Sequence, residues 1–401
     1  MSEGGSRPAS IASALLRAAV LAFHGLILLG ALAVPASVVL AAALEMRAGE
    51  GSAAAILADL PRWLALLGNT LIVTGAAVVV AVILGTALAL LATRTDLPGR
   101  RALLSVLLLG ACVPVYLMAV LFLPELPASR WLGSAAMCGL LYGVALTPLA
   151  ALVIGLALQA GDRELEDQVR LEGGWWSVLR WALLPQAAWG IATAAALVLL
   201  LVATDYSLTD LLIVRTFAEE VYTQYALGSG RAGPLLTAVP LMFGLALLLL
   251  FVQARFRVLG EGSPAAAGAR PEPLKLGRAR WAAAGLVFVV LAVGCGLPLR
   301  SLIMQALPVD EGLGRTVLNL RWSLWSSCWL AAVGATLTVP PALGLAWGAT
   351  RGGWSRGAIW AAVIVLLSVP APVVGLGLIE LLNRPALPAW LYDSVLPVVA
   401  G

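Results

Sequence analysis

Long apolar runs separated by short polar segments fill most of the chain. A run of ~20 apolar residues lets a helix cross hydrocarbon with its backbone groups bonded to one another. The runs predict spans at residues 18–44, 68–92, 103–123, 133–158, 186–204, 235–252, 281–303, 324–349 and 358–382, with a tenth opening near Pro388. One stretch breaks the pattern. "DRELEDQVRLEGGWWSVLRWALLP", residues 162–185, is the longest strongly charged segment. Leu165 and Val169 within it are four apart, so on a helix they share a face, and Glu164, Glu166, Asp167 and Arg170 surround that stripe. The spacing predicts a short amphipathic helix. Gly173 and Gly174 then predict a sharp turn, because glycine accepts positive φ without strain. Trp175 and Trp176 suit a membrane–water interface, and Pro185 suits the first turn of the next span, where no amide donor is needed. On periodicity alone, an ordinary interfacial helix with snorkelling arginines reads equally well.

Composition fixes the class. The chain is 61% hydrophobic and 11% charged, with a mean hydropathy of +0.97. Soluble domains carry roughly 25% charged residues. The prediction is an all-α, polytopic membrane helix bundle whose first partner is the lipid bilayer. The net charge of +4 is no nucleic-acid signal. Cys112, Cys138, Cys295 and Cys328 sit apart in apolar stretches with no CxxC spacing, which reads as small buried thiols. The first apolar run exceeds the ~7–15 residues of a signal-peptide core, favouring an uncleaved helix over a cleaved leader.

Arginine placement orients the spans. With the N-terminus in the cytoplasm, the inside segments are "TRTDLPGRR" (93–101), the charged stretch, the linker 253–280 and "RGGWSRG" (351–357), and each carries two or more arginines. The linker is rich in Gly, Ala and Pro and reads as a flexible tether. The sequence on its far side resembles what precedes it. "LALLATRTDLPGRRALLSVLLLGACVP" (88–114) parallels "LGLAWGATRGGWSRGAIWAAVIVLLSVP" (343–370), with Ala-Thr-Arg, a basic turn and an apolar helix reaching Val-Pro in the same order. The chain therefore divides into a first half at 1–252 with its loop at 159–185, the linker, and a second half at 281–401.

The central stretch resembles the EAA loop of ABC importer permeases, whose pattern runs Glu-Ala-Ala, three residues, Gly and later Leu-Pro. The matching residues are Asp167-Gln168-Val169-Arg170-Leu171-Glu172-Gly173, closing in Leu184-Pro185. Gln168-Val169 stand where the pattern has Ala-Ala, and the Gly-to-Pro interval is one residue shorter. The resemblance implies a type I permease fold and a coupling helix that docks on an ATP-hydrolysing subunit. It assigns energy coupling to Glu164, Leu165, Glu166, Asp167, Val169, Arg170, Leu171, Glu172, Gly173, Gly174, Leu184 and Pro185. The layout is similar to that of the fused iron(III)- and thiamine-type permeases. A second loop of this kind is then expected near residue 420, so the sequence reads as a tandem repeat with a truncated second copy.

The implied partners are a dimer of ABC ATP-binding subunits and an extracytoplasmic solute-binding protein, at a bacterial inner membrane. Lys275 is the only lysine and no GxxxxGK[ST] loop surrounds it, so ATP and Mg are expected on the partner. This chain is expected to be a transport subunit, with neither cofactor nor metal of its own. Asn69, Thr70, Asp205 and Asp210 are candidates for a pore or outer gate, against a plain reading as caps and solvated loop residues. Glu219 and Glu220 read as part of a short outer helix, His24 as structural, and Glu380 as snorkelling outward. The alternatives are an ion-coupled secondary transporter, which needs carboxylates in mid-span, a membrane-embedded enzyme, which needs a polar constellation at depth, and a non-functional permease fragment.

Overall fold

The computed structural model describes residues 59–125, 133–228, 232–260, 273–306, 312–350 and 354–383, with single positions at 36, 39–40, 43–44, 47 and 388. His24 and most of the expected first and tenth spans lie outside the described residues. Among those described, the regular elements are all helical, and the one β-type pairing is an isolated parallel bridge between Thr95 and Leu274.

Six helices are long and apolar enough to cross a membrane, and two bent pairs add to them, so the chain is a multi-pass membrane protein. Helix α1 covers Leu60–Arg94, longer than the expected 68–92. Asp59 caps it by accepting from the Arg62 amide at 3.2 Å, and Pro61 occupies its first turn. The helix extends past its apolar run because Arg62 finds a partner, Glu220, at 2.8 Å. Helices α2 (Arg100–Ala111) and α3 (Val115–Phe122) form one of the bent pairs, turned by 100° at Pro114. Helix α4 covers Ala135–Gln159, α5 Arg163–Glu172 and α6 Trp175–Thr204. Short helices α7 (Ser207–Leu211) and α8 (Phe217–Ala226) follow, then α9 (Ala232–Gly260) and α10 (Ala279–Ala306). The C-terminal part holds α11 (Gly312–Thr350) and a second bent pair, α12 (Trp354–Ser368) and α13 (Ala371–Leu382), turned by 93° at Pro370.

The prolines explain the irregularities. Pro114 and Pro370 each precede a helix with nearly the same backbone angles, φ −59° ψ 136° and φ −63° ψ 144°. A proline there offers no amide to the helix behind it, so the chain turns extended for one residue and restarts. Pro185 and Pro298 behave differently. Each follows a π turn by two residues, at Val178–Leu183 in α6 and Ala292–Gly296 in α10. The wider turn shifts hydrogen bonding to i−5, as in Leu184 N–H to Leu179 O, and the helix continues through the proline. Pro185 therefore lies inside a helix that begins at Trp175, where the sequence had suggested a span starting at 186.

The chain forms two compact units that cut across the halves read from the sequence. One comprises Leu57–Tyr222 and Leu247–Pro308; the other comprises Met1–Ile56, Thr223–Ala246 and Val309–Gly401. Helix α10, which opens the second half in sequence, thus belongs to the unit of α1 to α6. In that unit α1 and α4 run parallel at very short range. A Cβ on Gly139 would fall 2.5 Å from the Val73 carbonyl oxygen, and one on Gly143 would fall 2.6 Å from Val80 Cβ. Further along the same seam, Gly85 faces Ala150 and Gly155 faces Thr93. This small-residue seam is the usual way for membrane helices to gain dispersion contact when no hydrophobic effect separates them from lipid. Helix α6 runs antiparallel to α4, with Gly190 against Ala157.

Parallel packing of α1 and α4 settles the role of the first bent pair. Both helices finish at one end of the unit, so the chain between them must return to the other end, and α2–α3 makes that crossing. The expected single span 103–123 is a broken one. In the second unit α11 packs on α12, where a Cβ on Gly348 would meet Ile359 at 2.7 Å. The thiols divide: Cys138 is buried, but Cys112 and Cys328 are exposed, unlike the expectation of four buried groups.

Candidate functional site

Helix α5 forms where the sequence placed an amphipathic helix, and its ends explain why. Asp162 caps it by accepting from the Glu164 amide at 2.9 Å, acidic residues occupy the first turn, and Arg170 occupies the last. Its orientation differs from the expected one. Glu166, expected among the solvated flanking charges, is only 2% exposed. Of the ridge read from the sequence, Leu165 is 41% exposed and Val169 is half-buried. The outward face carries Glu164, Leu165, Asp167, Gln168 and Leu171, the last 90% exposed.

Glu166 is buried because it meets Arg94, the final residue of α1 and only 1% exposed. The two side chains form a hydrogen-bonded ion pair. Arg94 also donates from Nη1 to the Leu158 carbonyl at 3.1 Å, near the end of α4. That carbonyl lies in the last turn, where no intrahelical donor remains. One guanidinium thus ties the ends of α1 and α4 to α5. Gln186, in α6, supplies a second tie. Its Oε1 accepts from the Asp162 amide at 2.6 Å, and its Nε2 donates to the Asp162 carbonyl at 3.4 Å. The helix is fastened at its start and one turn into its length, to three different spans.

Burial pushes the Glu166 carboxyl above the usual carboxylate range, with the Arg94 guanidinium pulling the other way. A folded-state value above the unfolded one means that the native protein holds more protons in the window between them. Stability attributable to Glu166 is therefore complete below the unfolded value near 4.5 and is lost as pH rises through the folded value. Unfolding curves recorded as pH rises from about 4.5 should show this loss of stability in the native chain and its absence in Glu166→Gln.

The turn after α5 also differs from expectation. Gly173 has φ −156° and Gly174 φ −74°, so neither uses the left-handed region. The demand on Gly173 is proximity: a Cβ there would collide with the Ser177 hydroxyl and fall 2.7 Å from Ser177 Cβ. Gly174 has open space around it and is exposed. Trp175 and Trp176 are each 57% exposed and pack edge to face, 5.6 Å apart. Leu184 is half-buried and Pro185 exposed, and the side chain of Glu172 lies outside the description.

The linker is not a uniform tether. Residues 253–260 continue α9, and 273–277 are stitched to the turn after α1. The Leu274 amide donates to the Arg94 carbonyl at 2.7 Å, the Asp96 amide to the Leu274 carbonyl at 3.2 Å, and the Leu276 amide to Asp96 Oδ1 at 2.8 Å. Leu274 itself is 8% exposed, within the hydrophobic core. Apolar burial and backbone pairing overcome the disorder that the surrounding Gly, Ala and Pro favour. The backbone of Arg94 is thereby held by the linker while its side chain holds α5.

At the opposite end of the unit, three of the four gate candidates make hydrogen bonds to neighbouring elements or turns. Asn69 Nδ2 donates to the Arg215 carbonyl at 2.9 Å, and Thr70 Oγ1 accepts from the Phe217 amide at 3.2 Å. Asp205 accepts from the Tyr142 hydroxyl at 3.0 Å and from the Ser207 amide and hydroxyl at 3.0 and 2.9 Å. Asp210 is exposed. Glu219 and Glu220 lie on α8 as expected but are buried, 9% and 7% exposed. Tyr206 and Tyr222 stack at 4.6 Å, and burial raises the Tyr206 hydroxyl above its ordinary value.

Sequence reasoning missed Arg94, Gln186 and Ser177 as parts of this site. Arg94 is 72 residues from Glu166, and no local pattern joins them. The Gly139–Gly143 seam was legible, as a small-xxx-small spacing inside a span. Compared with known proteins, the chain matches no protein-family model and no characterised relative.

Proposed function

We propose that the chain is the transmembrane subunit of a bacterial ABC importer with the type I permease fold, moving a small solute across the inner membrane. The observation that carries this reading is the mounting of α5. A rigid lever needs a free face for its motor and a stiff connection to the spans it moves. Glu164, Leu165, Asp167, Gln168 and Leu171 supply the free face. Arg94, the Leu158 carbonyl and Gln186 supply the connection, to α1, α4 and α6. An ordinary interfacial helix would turn its leucines to lipid and need no buried ion pair beneath it.

The energy comes from a separate dimeric ATP-binding subunit, and the solute from a binding protein. The orientation follows from charge. Arg94, Arg100, Arg101, Arg170, Arg180, Lys275, Arg278 and Arg280 gather where α1 and α4 end, which favours the cytoplasm for that side. Support for an internal repeat comes from the bends at Pro114 and Pro370, each reached through a short helix that follows a long one. Iron(III) is the first solute to assay, on the similarity to fused permeases.

The test uses Gly173→Val. The branched side chain meets Ser177 in the first turn of α6 and displaces α5 from its seat. The variant should insert normally, retain the ATP-binding subunit more weakly in a pull-down, and lose about tenfold in solute uptake, an angle error equivalent to ~1.4 kcal/mol of coupling. Full uptake with unchanged subunit retention overturns the reading.

A further inference from the structure

Helix α10 is tied to its unit at both ends and packs on it through Val287, with a cavity left beside that contact. At one end the linker bonds join Leu274 and Leu276 to Arg94 and Asp96. Toward the other, Arg300 pairs with Glu125, just after α3. Between these ties the π turn Ala292–Gly296 lies across from Val106 and Leu107 of α2 and Met118 of α3. Beside the π turn is a cavity of about 240 Å³, walled by residues such as Leu88, Met118, Val144, Thr147, Val293 and Gly294.

We propose that this cavity is a binding site for one acyl chain of a membrane phospholipid. The walls are aliphatic. The hydroxyl of Thr147 is already committed, donating to the Gly143 carbonyl at 2.7 Å. Water entering would find no set of partners, and a polar solute would lose its hydration without replacement. An apolar cavity of ~150 Å³ binds a benzene-sized ligand, so this volume admits a segment of several methylenes. The source of the hydrocarbon follows from the surroundings. Val293 belongs both to the wall and to the outer surface, 49% exposed, and Phe288 nearby is 73% exposed. On a membrane-spanning helix such a surface faces lipid tails, so the cavity opens onto them. By helical rise, Leu88 lies about 9 Å from the end of α1 and Val293 about 21 Å from the start of α10, the depth of acyl chains. The inference needs only the membrane location of the chain and stands apart from the transport reading.

The full chain in nanodiscs, with a phosphatidylcholine carrying a diazirine at mid-chain, tests it. After irradiation, adducts should concentrate on residues 289–295 and on their facing residues in α2 and α4. Gly294→Leu should lower that labelling about tenfold, the effect of excluding about two methylenes. A Cβ at Gly294 meets nothing within 4 Å, so the remaining leucine atoms are left to enter the cavity, and Gly294→Ala with an unchanged unfolding midpoint serves as the folded control. Labelling of Leu108 and Leu109, 57% and 70% exposed on open surface, should not change. Equal labelling of the cavity and that open surface, unaffected by Gly294→Leu, overturns the proposal. So does a cavity that takes up xenon while gaining no acyl adduct.

Discussion

Arg94→Ala should destabilise the folded chain by about 3–5 kcal/mol, the largest loss expected from any single charge. The reason is asymmetric. Truncating Arg94 leaves Glu166 buried at 2% exposure without its hydrogen-bonded cation, with its Oε1 already lacking a hydrogen bond and only the electrostatic pull of Arg170 remaining. Glu166→Ala should cost a similar amount by stranding the guanidinium. Replacing both at once, as Arg94→Met with Glu166→Leu, removes both desolvation terms and should return to within about 1 kcal/mol of the native chain. Denaturation in detergent, followed by tryptophan fluorescence, measures all four proteins in one series. A single variant that unfolds like the native chain would show that the pair is hydrated and that α5 is not pinned there. The double variant also separates stability from function. It should stay folded while α5 loses the charged contact that fixes its register.

Gly139→Leu should part α1 from α4. The Cβ alone falls 2.5 Å from the Val73 carbonyl oxygen and 2.7 Å from Ala76 Cβ, both fixed in the helix opposite. Overpacking a flexible core costs about 1–3 kcal/mol, and a clash with helix backbone belongs at or above the upper figure. The seam runs the length of both helices, so relief at Gly139 must also move Gly143 from Val80 and Gly85 from Ala150. Gly75→Ala supplies the control. It lies on α1 with nothing within 4 Å of its Cβ, and alanine should stabilise the helix by about 0.5–1 kcal/mol. Equal unfolding midpoints for Gly139→Leu and Gly75→Ala would remove the seam from the account of this fold.

Several features were legible because they are local. Apolar run length gave the spans, since hydrocarbon thickness alone sets it. Run length read 103–123 and 358–382 as single spans, yet each breaks at a proline, Pro114 or Pro370, because the missing amide acts on its own helix. The spacing of Leu165, Val169 and the charges gave α5 its helical state. The direction in which α5 faces was not legible. A carboxylate flanked by other carboxylates reads as solvated, and only the distant Arg94 makes its burial affordable. The linker shows the same limit. Its composition favours disorder, yet Leu274 finds core contacts and two backbone partners on a turn far away in sequence.

By itself, then, the sequence determined that this chain is helical, crosses a membrane repeatedly and carries one charged amphipathic segment between two spans. Those properties follow from burial and backbone hydrogen bonding within each segment. The tertiary structure decided which end of each span meets which, that α10 joins the unit of α1 to α6, and that α5 is tied to the spans through Glu166. These depend on pairs of residues tens to hundreds of positions apart. Within a run of apolar side chains, nothing local distinguishes the face that meets a helix from the face that meets lipid.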